Sequence, residues 1–178
     1  MDALTLKIPT MDYAEDIWRF HDEILAAGDK DSFAGCGGLE DCESAAEWIA
    51  SVEEKMNPGT CPPGWVPADV FIAVRESDNR IVGVIDLRHN LDNPVLSEWG
   101  GNIGNTVRPD ERRRGYAVQM LGLVLEKCPA LGLERVMVTC NDTNPVSEKV
   151  IRACGGVYER TAEVAGQNVR RFWIEIAG

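Results

Sequence analysis

Apolar residues first recur at alternate positions at Leu4, Leu6 and Ile8, which predicts a short strand from Leu4 to Ile8. Asp12 with Glu15 three residues on resembles a capping box, and the pattern behind it predicts an amphipathic helix to about Ala26. Residues 28–40, GDKDSFAGCGGLE, lose all periodicity and read as a glycine-rich loop. Ser44 with Glu47 marks a second helix ending near Met56. The following NPGTCPPGWVPAD carries Pro58, Pro62, Pro63 and Pro67, each without a backbone donor, so it is irregular and is expected to lie over a cleft with Trp65 exposed or half buried.

VFIAVRE (70–76) and RIVGVIDLRHN (80–90) read as antiparallel strands joined by a turn at Ser77, Asp78 and Asn79. A further strand is expected from about Glu98 to Val107, interrupted by Gly100, Gly101 and Gly104. Glycine weakens a strand unless the backbone bulges there or something approaches closely. From Ala117 the positions Met120, Leu121, Val124, Leu125 and Cys128 follow helical spacing, with Pro129 as the stop. Arg135 to Cys140 reads as a buried strand. Asn144 caps a last helix with Pro145 in its first turn, Val146, Val150, Ile151 and Cys154 on one face and Gly155-Gly156 at its end. Gly156 to Arg160 and Val169 to Ile176 complete the chain as strands. This order predicts the α/β class: a three-layer α/β/α domain around a mixed, mostly antiparallel sheet, rather than a doubly wound one.

The length of 178 residues suits one domain spanning 1–178, since a chain of this size buries roughly 70% of its unfolded surface. A net charge of -11 repels nucleic acid and anionic lipid, so neither is an expected partner. With neither an apolar leader nor a membrane-length apolar run, the expected location is the cytoplasm. The six cysteines include no C-x-x-C pair and only His21 and His89 could join them, so they read as reduced thiols and no metal is expected.

Against that acidic background, VRPDERRRGYAVQM (107–120) sets Arg108, Arg112, Arg113 and Arg114 just before a glycine and a helix. A strand-turn-helix junction presents unpaired amides at the positive end of the helix dipole, and Gly115 lets an anion approach the backbone. Flanking guanidiniums add fixed charge, making a pyrophosphate cradle. The alternative is a solvated basic turn whose arginines pair with Asp110 and Glu111. Neither the dinucleotide G-x-G-x-x-G nor the P-loop pattern occurs.

Arg112-Arg113-Arg114-Gly115-Tyr116-Ala117, preceded by Val107-Arg108-Pro109, resembles the R/Q-x-x-G-x-G/A signature of the GNAT superfamily of acyl-coenzyme A dependent N-acyltransferases. Asn144-Pro145-Val146-Ser147 and Cys154-Gly155-Gly156 extend the resemblance, which covers residues 70–160 well and the remainder by element order. GGNIGNTVRPDERRRGYA is similar to a branch of predicted acetyltransferases. The resemblance implies acetyl-CoA as co-substrate. It places the pyrophosphate on Arg112, Arg113, Arg114, Gly115, Tyr116 and Ala117, and the pantetheine amides on Asn105, Thr106 and Val107. A bulge at Gly100-Gly101 or Gly104 would then splay the fourth strand from the fifth. Asn144 and Ser147 could also reach the cofactor, although Asn144 serves equally as a helix cap.

Transfer of an acetyl group to an amine needs a proton acceptor, an anchored carbonyl oxygen and an acid for the departing thiol. Glu98 is the first candidate base, with Asp86 and His89 next. An amide near Thr106 or Val107 is the candidate oxyanion donor. Where the resemblance implies a tyrosine, seven residues after Asn144, the chain has Ile151. That leaves Ser147, which some family members use, or Tyr158 as acid, and Ser147 is equally a plain first-turn residue. Segments 28–40 and 57–69 are expected to wall the acceptor pocket, with Asp29, Asp31, Glu40 and Asp41 either steering a cationic amine or serving solubility. The expected function is acetyl transfer to an amine of a small molecule or a polypeptide N-terminus; the alternative is a non-catalytic acyl-CoA binding or sensing domain. A homodimer is compatible with the sequence.

Overall fold

The computed structural model describes residues 2–28 and 33–177. Its strands are β1 (Leu4–Lys7), β2 (Ala68–Arg75), β3 (Ile81–Arg88), β4 (Ile103–Val107), β5 (Arg135–Asn141), β6 (Val157–Val164) and β7 (Gln167–Glu175). The helices are α1 (Ala14–Ala27), α2 (Ala45–Met56), α3 (Tyr116–Leu125) and α4 (Pro145–Ala153). All seven strands join one sheet in the order β1-β2-β3-β4-β5-β7-β6. Only β4 and β5 run parallel, as a strand-helix-strand crossover through α3 requires; every other pair is antiparallel.

Both faces of the sheet are covered, giving the three layers expected. On one face Ile17, Phe20, Ile24, Trp48 and Val52 of α1 and α2 pack on Val70, Ile72, Val74 and Val84. On the other, Tyr116, Met120, Leu121, Val124 and Ile151 of α3 and α4 pack on Phe71, Ile85, Leu87, Val138 and Phe172. Residues 70–74 of β2 therefore read as an unbroken apolar run: Phe71 and Ala73 feed one core, Val70, Ile72 and Val74 the other. No helix among the described residues is long and apolar enough to cross a membrane.

The Ser44 hydroxyl accepts the Glu47 amide at 3.2 Å and the Asn144 side chain accepts the Ser147 amide at 3.1 Å, so both expected caps form. The expected capping box of Asp12 and Glu15 does not. A 3-10 turn over Met11–Tyr13 precedes α1, whose N-cap Tyr13 makes no side-chain cap bond. Pro129 does not terminate the third helix either; α3 ends at Leu125 and Pro129 sits inside a separate 3-10 turn, Cys128–Leu131, where a proline in the first turn loses no bond. The last hairpin is longer than its apolar pattern suggests. Ala165 and Gly166, at φ 50° and 78°, form a two-residue turn, and β6 lies at the sheet edge with mostly exposed side chains, which blurs the alternation.

Candidate functional site

The site begins where the sheet stops being continuous. β4 and β5 share one registered pair, Ile103 with Val138. Just before it, Asn102 is 2% exposed and knits three strands together. Its amide donates to Met137 O at 2.7 Å, its Oδ1 accepts from Met137 N at 2.9 Å and its Nδ2 donates to Arg88 O at 3.2 Å. The two parallel strands are thus clasped at one end and part at the other.

The expectation of a glycine bulge needs correction. Gly101, at φ 70°, lies so near β5 that a β-carbon there would sit 2.6 Å from Met137 O; it brings the strands together at the clasp. Gly104 is in regular register with Asp86, and its β-carbon would meet Gly35 N at 2.7 Å, because the loop after α1 rests directly on it. That loop is further fixed by Thr106 Oγ1 donating to Ala34 O at 2.8 Å and Trp48 Nε1 donating to Cys36 O at 2.7 Å. Of the segment 28–40, then, Ala34 and Gly35 lie against β4, while Cys36, Gly37 and Leu39 pack toward α2 and β2. Asp29 and Asp31 fall outside the described residues, while Glu40 and Asp41 are exposed.

The amide of Gly104 donates to Asp86 Oδ1 at 2.7 Å and that of Arg108 to Val82 O at 2.8 Å, both toward β3. Strand alternation therefore turns the amides of Asn105 and Val107 toward the opening beside β5, and that of Thr106 away from it.

Past β4, a 3-10 turn over Pro109–Glu111 leads into the arginine-glycine turn. Arg113 and Gly115 adopt positive φ of 63° and 82°, and Gly115 is the N-cap of α3 without a side-chain cap bond, which leaves the helix's first amides to a ligand or water. Arg112, Arg113 and Arg114 are all exposed. Arg112 Nε donates to Val107 O at 3.2 Å, while Arg114 Nη1 lies 3.4 Å from Glu111. Arg108 is different: it is 0% exposed, held by Glu23 at 2.6 Å, Asp16 at 2.9 Å and Ile81 O at 2.6 Å, and it ties α1 to the sheet.

Glu98 lies in a π-helical turn, Leu96–Gly100, and not at the start of a strand. The turn folds back over β5 and β7, with Thr139 Oγ1 donating to Trp99 O at 2.7 Å and Arg171 Nη1 to Glu98 O at 3.0 Å. The half-exposed Glu98 carboxylate accepts from Arg160 Nη2 at 2.9 Å and lies 3.6 Å from Arg171. Asp86 is buried at the foot of the loop that covers Gly104. Burial pushes its carboxyl above the ordinary range, against the pull of the Arg88 guanidinium 3.0 Å away and the Gly104 amide. His89 Nε2 is 3.2 Å from Asp69 Oδ1, within charge-pairing range but misaligned for a hydrogen bond.

Ser147 stands one helical turn before the buried Ile151 and so shares its inward face. The half-exposed Tyr158, on edge strand β6, has its hydroxyl 3.0 Å from Thr161 Oγ1 and its ring edge against Phe172. Ile151 fills core space, and a β-carbon on Gly156 would lie 2.4 Å from its side chain. In the proline-rich segment 57–69, Trp65 is 57% exposed, with Lys55 Nζ 4.3 Å from its ring centre. Sequence reasoning passed over Asn102 and Arg171. Their only signal was polarity beside apolar strand positions.

Residues 4–157 match the family model for the acetyltransferase (GNAT) domain, and the chain belongs to that family. No curated protein matches it by sequence. Among solved structures, the microcin C7 self-immunity acetyltransferase MccE, in complex with acetyl-CoA and AMP, superposes with a TM-score of 0.68 at 16% identity, over 99% of this chain and 94% of that one. Spermidine N-acetyltransferase from Vibrio cholerae, in complex with CoA and spermine, gives 0.65 at 16% identity over 97% and 95%. At such identities the likeness is one of fold.

Proposed function

We propose that the protein transfers an acetyl group from acetyl-CoA to an amine of a small molecule or a polypeptide N-terminus, by direct attack within a ternary complex. The observation that carries this reading is a pair of features at the C-terminal end of β4, in the interior of the sheet: the strand opening toward which the Asn105 and Val107 amides turn, and the uncapped N-terminus of α3 behind an exposed arginine-glycine turn. The backbone of residues 112–117 and the three exposed guanidiniums suit a pyrophosphate. Asn105 and Val107 suit an amide-bearing arm in the opening, with Thr106 backing the strand through Ala34 and Asn144 and Ser147 flanking from α4. Acetyl-CoA, when bound, supplies an activated acyl carbon.

The chain's own groups then handle protons and orientation. Glu98 accepts the amine proton, directly or through water, with Asp86, whose proton affinity burial raises, and His89 as the next candidates. The Val107 amide faces a carbonyl oxygen, and Ser147 or Tyr158 returns a proton to the departing sulfur. A second reading, binding without turnover, is favoured by one observation: Ile151 occupies the position where an acidic hydroxyl is expected. Acetyl-CoA incubated with a panel of amines separates the two. Amine-dependent release of free thiol is expected; tight CoA binding with no release from any amine would leave only the binding reading.

A further inference from the structure

One buried side chain reaches both ends of the arginine-glycine turn. Arg75, the last residue of β2, donates through Nη1 to Glu111 Oε2 at 2.8 Å, immediately before the turn, and to the Tyr116 hydroxyl at 3.3 Å, immediately after it. Its Nε and Nη2 are held by Asp78 at 2.9 and 2.6 Å, so the guanidinium plane is fixed from behind. The other oxygen of the buried Glu111 accepts Arg80 Nη1 at 2.7 Å. Between the two gripped residues the chain turns through Arg112–Gly115, including Arg113 at φ 63°. A non-glycine residue in that region persists only where its surroundings over-determine it.

Building on the coenzyme A reading, we propose that Arg75 is a positioning residue for the pyrophosphate: by setting the distance between Glu111 and Tyr116 it holds residues 112–115 in the shape that aims the α3 amides outward. Its own charge is matched by Asp78 and Glu111, so it acts through geometry and not as an additional cation for the ligand. Arginine suits this because its rigid fork serves three partners at once, which a lysine ammonium on a flexible stem does not.

The test compares CoA, which carries the pyrophosphate, with S-acetylpantetheine, which lacks it. Arg75→Met is expected to raise the calorimetric Kd for CoA by at least about ten-fold, the usual scale for losing charge-assisted hydrogen bonds, while KM for S-acetylpantetheine with a working amine stays within about two-fold. Arg75→Lys, which retains the charge, should follow Arg75→Met. Tyr116→Phe removes one oxygen and should raise the Kd by about two- to five-fold, less than additively with Arg75→Lys. It keeps the proposal testable should the Arg75 variants fail to fold. CoA affinity within error of wild type in Tyr116→Phe and Arg75→Lys would overturn the proposal, as would equal losses for CoA and S-acetylpantetheine. Wild-type protein that binds no CoA would instead remove the coenzyme A reading itself, before any variant is compared.

Discussion

Gly115 marks the point where the ligand reading can be tested with one atom group. At φ 82° any β-carbon costs about 1–2 kcal/mol of backbone strain, and a carboxylate there would stand beside the first amides of α3, where the phosphate is proposed to lie. Gly115→Glu is therefore expected to weaken CoA binding by at least about a hundred-fold in calorimetry, strain and like-charge repulsion adding; unchanged affinity would place the cofactor elsewhere. Glu98 is tested by turnover and not by binding. Glu98→Gln keeps acceptor capacity toward Arg160 but cannot take a proton, so kcat at neutral pH should fall by about a hundred-fold with CoA affinity retained. Wild-type turnover would remove Glu98 as base and leave Asp86. The arginine-glycine turn was legible because its chemistry is contiguous in sequence. Arg108 was not separable from its neighbours on the same grounds: only the fold reveals that its partners Asp16 and Glu23 lie 92 and 85 positions away.

At the scale of the element, β4 is short and is made by its flanks. Asn102 pairs β4 with β3 and β5 at once, and Asn102→Ala would leave Met137 N and Arg88 O unmatched in a buried setting. The expected cost is about 2–4 kcal/mol, read as a lowered midpoint in urea with an unchanged slope; a change below about 0.5 kcal/mol would show that the clasp carries no weight. Helix and strand placement was largely readable, since periodicity and caps are local signals. The role of the glycines was not. Composition shows that Gly101 and Gly104 lack side chains but not what approaches them, and the neighbours, Met137 and Gly35, are 36 and 69 residues distant. Glu98 was misassigned to a strand for a related reason: its turn is stabilised by Thr139 and Arg171 across the sheet and not by its own pattern.

Over the whole molecule, ion pairs concentrate where α1, the β2–β3 hairpin and the arginine-glycine turn converge. There Arg75, Arg80 and Arg108 meet Asp16, Glu23, Asp78, Asp110 and Glu111. Hydrogen bonds from Arg75 hold the Asp78 carboxyl down at about 2, below its ordinary 3.8. A carboxylate lowered in the folded state contributes stability that is present above its ordinary value and lost as pH falls through the lowered one. The stability gap between wild type and Asp78→Asn in urea unfolding should thus be widest above about pH 4 and close toward pH 2. A gap independent of pH would show that the pairing contributes nothing. A linear reading offered Asp110 and Glu111 as partners for the nearby arginines but not the long-range pairs with Asp16, Glu23, Arg75 and Arg80. The layered architecture was visible because each element advertises its own buried face.

Gly35 and Gly104 meet backbone to backbone, with no rotamer on either side to yield. Any push on the loop that follows α1 must therefore be borne by the main chain of the strand beneath it. The loop after α1 and β4 are thus coupled through main-chain contact, so a displacement of the first is transmitted to the second.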